Sequence, residues 1–252
     1  MDGTDMTQDF AGRTALVTGG NSGIGRAVAG QLARRGAHVV ISGRDVVRGS
    51  RAVEEIRADG GRADFVQADL ADLASVRSLA KQAIDLGQVD VLINNAGIFP
   101  FGPTAEVPES DFDAVYAVNV RAPFYLVAEL APLMAARGAG AIVNVTTIVA
   151  YVGMAGMAAY GSSKAAVELL TRAWAAEFGP AGVRVNAVSP GPIRTEGTAV
   201  MGENLDNLAA TTPLQRVGAP DEVAEGIVFL ASDAASLVHG ATLPIDGGRL
   251  AV

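Results

Sequence analysis

The chain has 252 residues, of which 50% are apolar, 18% charged and 5% aromatic, with 30 glycines. That is enough apolar material for one large packed core, and too much for a disordered chain. Lys and Arg number 19 against 27 Asp and Glu, a net charge of −8 with no basic run, which argues against a nucleic-acid or anionic-membrane partner. Cysteine is absent, so disulfides, thiolate nucleophiles and cysteine zinc sites are excluded; a cytoplasmic location fits this composition. His38 and His239 are widely spaced, and no metal site is expected. The opening MDGTDMTQDF is acidic and lacks the apolar run of a signal peptide. Residues 1–10 are read as a flexible tail before a single domain over 11–252.

In chain order, strand and helix alternate. Residues 14–17 are a short apolar strand ending in glycines, and 23–35 follow with helical spacing, Ile24, Val28 and Leu32 on one face. Residues 38–42 form a second strand, 46–58 an amphipathic helix closed by Gly60 and Gly61, and 63–67 a third strand. A helix over 73–86 has Asp72 as its N-cap. Residues 89–93 are a fourth strand, Ser110 caps a helix running towards Val120, and 122–137 form another helix. Strands at 141–145, 183–188 and 243–245 and helices at 160–178 and 221–231 complete the pattern. Residues 138–163 carry no formal charge over 26 residues, long enough to span a bilayer. Asn144, Thr146, Thr147, Tyr151, Tyr160 and five glycines within it fit better a buried strand, a loop and the start of a helix. Nearly continuous apolar strands alternating with helices imply an α/β fold: a doubly wound parallel seven-stranded sheet with helices on both faces. Ligands then sit beyond the carboxyl ends of the strands.

TGGNSGIG at 18–25 follows a strand and opens a helix. Gly19, Gly23 and Gly25 permit close backbone approach by a pyrophosphate, and the helix amino terminus offers free N–H groups. No Gly-Lys-Ser/Thr follows, so this is not a nucleotide triphosphatase loop, though a methyltransferase also uses such a turn. The acid that binds a ribose 2′-hydroxyl in NAD enzymes stands about 20 residues beyond the glycines. Here that place holds Gly43, then Arg44, whose guanidinium pairs well with a 2′-phosphate. NADP(H) is therefore favoured, with NAD(H) the alternative; the competing reading pairs Arg44 with Asp45.

Tyr160 and Lys164 lie four apart on one helix face. A phenol titrates near 10, and a nearby ammonium lowers that value, so the pair suits proton exchange with an alcohol or carbonyl oxygen. Taken with TGGNSGIG, Asp69-Leu70, NNAG at 94–97, Asn119-Val120, YGSSK at 160–164, SPGPIRT at 189–195 and PIDGG at 244–248, the chain strongly resembles the short-chain dehydrogenase/reductase family from about residue 11 to 248. The resemblance implies a Rossmann-like fold and a set of roles. Tyr160 would be the general acid in reduction and base in oxidation. Lys164 would lower its pKa and bond the nicotinamide ribose, and Asn119 would support a proton relay. The turn residues Gly19, Asn21, Ser22, Gly23, Ile24 and Gly25 would meet the pyrophosphate side. Gly43, Arg44, Asp69, Leu70, Asn95, Ala96 and Gly97 would line the adenosine. Pro190, Gly191, Ile193 and Thr195 would lie about the nicotinamide. Turn and capping roles compete at Asp69, Asn94 and Thr195.

The family carries serine 13 residues before the tyrosine; this chain has Thr147. Threonine donates the same hydrogen bond, with a restricted χ1 and an added methyl. Strand alternation points its neighbour Thr146 to the other side. Residues 196–213 are expected to cover the substrate, with Met201, Leu205 and Leu208. Ile148, Val149, Tyr151, Val152, Met154 and Met157 approach from the other side, and Phe99 and Phe101 add a wall. This suggests an apolar pocket for a ketone or secondary alcohol. A 3-oxoacyl-acyl-carrier-protein reductase and a non-enzymatic NADP-binding regulator are the alternatives. The resemblance also implies a homotetramer.

Overall fold

The computed structural model describes residues 8–252; most of the expected tail, residues 1–7, lies outside them. Seven strands form one parallel sheet: β1 (Thr14–Thr18), β2 (His38–Gly43), β3 (Arg62–Gln67), β4 (Val89–Asn94), β5 (Gly140–Val145), β6 (Val183–Pro190) and β7 (Thr242–Ile245). Their order is β3-β2-β1-β4-β5-β6-β7, every neighbouring pair parallel. The strands read as continuous apolar runs because both faces are covered. One face packs Val17, Ile41 and Val143 against α1 (Gly23–Arg34), α2 (Val46–Ala58) and α8 (Pro220–Ala231). The other packs Leu16, Leu92 and Ile142 against α3 (Leu73–Leu86), α5 (Ala122–Arg137) and α6 (Ala158–Phe178). The chain reverses its direction of winding between β1 and β4, which opens a crevice at their carboxyl ends.

Local chemistry sets the boundaries. Asp72 accepts from the backbone N–H of Ala74 and Ser75 and caps α3, as its sequence position indicates. Asp45 likewise caps α2 through Arg48 N. Ser110 does not cap the next helix. That role falls to Pro108, whose fixed φ starts α4 (Glu109–Tyr116) two residues earlier than expected. Nor does α4 continue to Val120 as an α-helix: Ala117–Arg121 form a π turn that leads into α5. The uncharged stretch over 138–163 resolves into β5, a short 3₁₀ turn and the start of α6. Among the described residues, no helix is long and apolar enough to cross a membrane.

The cover over 196–213 contains a helix absent from the sequence reading, α7 (Glu203–Ala210). Leu205 and Ala209 turn inward from it and are buried. Phe10, assigned to the tail, is fully buried in the α1/α2 core. The guanidinium carbons of Arg13 and Arg35 stand 5.7 and 5.2 Å from its ring centroid. The domain therefore begins before residue 11. Phe10→Ala is expected to cost about 3 kcal/mol, the range for emptying a buried aromatic site, measured as a lowered urea midpoint.

Candidate active site

The glycine turn is built by exclusion of side chains. A Cβ on Gly25 would lie 2.3 Å from Gly19 O and 2.4 Å from Asn95 Nδ2, so α1 packs onto β1 and β4 only with glycine there. Asn95 Nδ2 donates to Thr18 O at 2.9 Å, and Thr18 Oγ1 accepts from Asn95 N and Ala96 N at 3.0 and 3.1 Å. Gly19 and Gly23 have φ of +64° and +49°, which disfavours other residues.

This turn opens on a cleft of about 300 Å³. Its walls are Gly19, Asn21, Ser22, Gly23 and Ile24 from the turn, Gly43 and Arg44 after β2, Asp69 and Leu70 after β3, Asn95, Ala96 and Gly97 after β4, and Thr195 after β6. Asp45, Arg48, Ile98, Phe99, Val118 and Gly197 also line it. Most of the cofactor residues expected from sequence thus share one crevice at the strand ends. Asp69 also makes the competing turn, its Oδ1 accepting from Ala71 N at 3.0 Å.

Arg44 is exposed on the rim. Asp45 is not its partner: Arg48 takes that carboxylate, Nε to Oδ2 at 2.9 Å, and holds it below the usual range together with the Arg48 backbone N–H. Among the described residues no carboxylate pairs with Arg44. A Cβ on Gly43 would stand 2.6 Å from Asn21 Nδ2, so a carboxylate at that position would have to displace Asn21.

At the inner end, Tyr160 and Lys164 project from α6. Phe99 meets the Tyr160 ring edge-on, centroids 5.9 Å apart, and joins it to the cleft. Lys164 Nζ is buried and donates to Val145 O at 2.8 Å. A Cβ on Gly97 would sit 3.2 Å from that nitrogen and 3.3 Å from Asn119 Oδ1, so the missing side chain leaves the cleft floor in touch with both. Asn119 lies in the π turn, a distortion common at functional sites. Its Oδ1 accepts from Ile98 N, and its Nδ2 donates to Ile98 O and Ser163 Oγ, at 2.9, 2.9 and 3.0 Å. Thr147 follows β5 close to the Tyr160 hydroxyl, and its Oγ1 accepts from Val149 N at 3.3 Å. Strand alternation does not hold at this strand end: Thr146 also turns to α6, its hydroxyl donating to Glu168.

Burial pushes the Tyr160 hydroxyl up to about 12, with the Thr147 hydrogen bond acting against it. Burial also pulls Lys164 down to about 8, with the charge of Glu168 acting against it. The expected lowering of the phenol by the ammonium is therefore not met: desolvation dominates, and the ammonium is spent on Val145 O. The phenol stands in the protonated form that an acid requires.

Several sequence expectations fall outside the cleft walls. Gly25 sits behind the turn. Pro190 pairs with Ile245 at the end of β6, and Gly191 packs on Asp246, where a Cβ would meet its Cα at 2.7 Å. Ile193 is buried in the α1/α8 core and bridges Gly218. Asn94 turns to Asn144 Oδ1 at 2.8 Å within the sheet. Tyr151 lies with its hydroxyl at Glu168 and Thr242. Sequence reasoning passed over Glu196 as a ligand. Its Oε2 accepts from Gly23 N at 2.9 Å, on the first residue of α1.

A family profile described as Enoyl-(Acyl carrier protein) reductase matches residues 19–249. The cis-4-hydroxycyclohexanecarboxylate dehydrogenase of Sinomonas cyclohexanicum is 43% identical over 251 residues, covering 98% of this chain and 100% of that one. Among solved structures, a short-chain dehydrogenase/reductase family protein is 51% identical with a TM-score of 0.92, covering 97% of this chain and 100% of its own. The chain belongs to the short-chain dehydrogenase/reductase family. As a short-chain dehydrogenase/reductase it is an NAD(P)-dependent oxidoreductase acting on alcohol and carbonyl groups. A blue fluorescent protein from a metagenomic library, solved in complex with NADPH, is 39% identical with a TM-score of 0.91, over 96% of this chain and 99% of its own. The crevice fits such a dinucleotide, because Gly19, Gly43 and Gly97 leave open the ground that Cβ atoms would take.

Glu196 places a carboxylate at the α1 amino terminus, where a dinucleotide's phosphates are favoured. Glu196→Gln is expected to tighten NADPH binding by about three- to tenfold, read by fluorescence titration.

Proposed function

We propose that this short-chain dehydrogenase/reductase interconverts a ketone and a secondary alcohol with NADP(H), and that Tyr160 exchanges the proton. The observation behind this reading is the placing of Tyr160 and Lys164 one turn apart on α6, with the Tyr160 ring against Phe99 of the cleft wall. The bound cofactor supplies or accepts the hydride. Thr147 and Tyr160 together hold the substrate oxygen. In reduction Tyr160 gives its proton to that oxygen, and the Lys164 ammonium stabilises the phenolate that remains. Lys164 and Asn119, facing each other across Gly97, are the route by which the proton is replaced. The protein's contribution is thus a positioned acid and two aimed donors in a site walled by Phe99.

NADP(H) rather than NAD(H) is supported by Arg44, which has no carboxylate partner among the described residues, and by the close fit of Asn21 against Gly43. An apolar wall for the substrate is supported by Phe99 beside Tyr160, and a ring-borne secondary alcohol by the named activity of the cis-4-hydroxycyclohexanecarboxylate dehydrogenase. A 3-oxoacyl chain on acyl carrier protein is the second reading, favoured by a solved structure 51% identical to this chain and described as a putative betaketoacyl-ACP reductase. Self-association as a homotetramer is supported by a groove of about 840 Å³ on α4–α6, where Phe124, Tyr125, Leu169 and Leu170 are prominent. A cytoplasmic location accords with the cysteine-free chain.

NADPH consumption with a panel of cyclic ketones and 3-oxoacyl thioesters tests the reading. Tyr160→Phe and Thr147→Ala are expected to lower kcat/KM about 100-fold or more while leaving NADPH affinity in place; Thr147→Ser is expected to retain turnover. Unchanged turnover in Tyr160→Phe rules out its role as the acid. Arg44→Ala is expected to weaken NADPH about tenfold or more and leave NADH nearly unaffected, measured as the ratio of the two dissociation constants.

A further inference from the structure

Helix α6 meets the end of β5 through three successive turns. Tyr160, Lys164 and Glu168 are spaced four apart and form one stripe. Lys164 Nζ donates to Val145 O at 2.8 Å, and Thr146 Oγ1 donates to Glu168 Oε1 at 2.5 Å. Residues 145 and 146 are each held by one member of the stripe, and Thr147 lies near the third, Tyr160.

Glu168 is 3% exposed, although acids are rarely buried without partners. Its second oxygen accepts from Thr242 Oγ1 on β7, and Arg172 stands 4.0 Å away, one turn further along α6. The Tyr151 hydroxyl lies near Glu168 and Thr242. A buried carboxylate costs more than an apolar side chain of the same size would, so packing alone does not account for it. Its position does: it stands one turn beyond Lys164 and grips the neighbour of Thr147.

We propose that Glu168 is a positioning residue for the reaction, fixing through Thr146 the strand end that presents Thr147 and setting a negative charge one turn from the Lys164 ammonium. This rests on the roles assigned above to Tyr160, Thr147 and Lys164. The groups around Lys164 are Tyr160 and Glu168 on its own helix, Val145 on β5, Gly97 after β4 and Asn119 in the π turn. Glu168 is the one carboxylate among them, and Arg172 and Tyr151 face it from the far side. The carboxylate opposes the downward pull of burial on Lys164. Removing its charge lets Lys164 lose its proton at lower pH, so the alkaline fall in reductase activity moves to lower pH.

The test compares the full-length wild type with Glu168→Gln, measuring NADPH affinity, then kcat and KM for a reducible ketone from mildly acidic to alkaline pH. Expected are NADPH affinity within about twofold, kcat at neutral pH lower by about tenfold, KM little changed and an alkaline break displaced downwards. A merely structural role lowers the melting temperature and leaves kcat per folded molecule and the break where they were; that result overturns the proposal. Should Glu168→Gln not fold, Thr146→Val and Thr146→Ser decide. Loss of kcat by about fivefold in the first and recovery in the second support the proposal, and equal kcat in both overturns it. A wild type that neither binds NADPH nor reduces ketones removes the parent reading as well, whereas an active wild type matched by its Glu168→Gln variant removes this one alone.

Discussion

The site depends on a lock between β1 and β4. Thr18 Oγ1 donates to Ile93 O and accepts two backbone N–H groups from the following loop, while Asn95 returns a side-chain hydrogen bond to Thr18 O. These bonds fasten two strands that neighbour each other in the sheet but lie some 75 residues apart in the chain. Because Gly25 sits against the neighbouring Gly19 carbonyl and the same Asn95 amide, the start of α1 is drawn into the lock. The glycine turn and the cleft floor at Gly97 are thereby placed relative to each other by short hydrogen bonds inside the protein, before any ligand arrives. Such pre-arrangement lowers the ordering that binding would otherwise require.

The second half of the site is governed by desolvation. The same burial acts oppositely on a neutral acid and a cationic one: it holds the proton on Tyr160 and loosens the proton on Lys164. The usual near-equality of the two groups is thereby inverted, and lysine, not tyrosine, releases its proton first. A protonated phenol with a cation nearby is the arrangement that the acid role proposed for Tyr160 requires.

Much of this was legible in the sequence. Seven apolar runs announced seven strands, because a sheet covered on both faces needs no alternation. Motif residues at strand ends met in one crevice, because parallel strands all deliver their carboxyl ends to one edge. The misreadings have local causes. Ser110 looked like a helix cap, yet Pro108 already held the backbone in a starting conformation. Helix α7 is eight residues long and half polar, too short for its period to stand out. Glu168 and Glu196 resemble solvated charges on paper. Their partners Thr242 and Gly23 lie 74 and 173 residues away, a relation that no local pattern carries.

The π turn over Ala117–Arg121 has a consequence for how this chain can change length. A wide turn holds one residue more than an α-helical turn would, and each residue of a helix advances about 100° around the axis. The extra residue lets α4 and α5 follow one another while showing different sides to their surroundings, and it turns Asn119 inward at the join. Loss of a single residue from this segment would close the wide turn into a regular helix. The amide that braces Ile98 would then lose the outward step of the backbone that places it. The spacing between the loop after β4 and the apolar face of α5 is thus closed to deletion, although both flanking segments are ordinary helix.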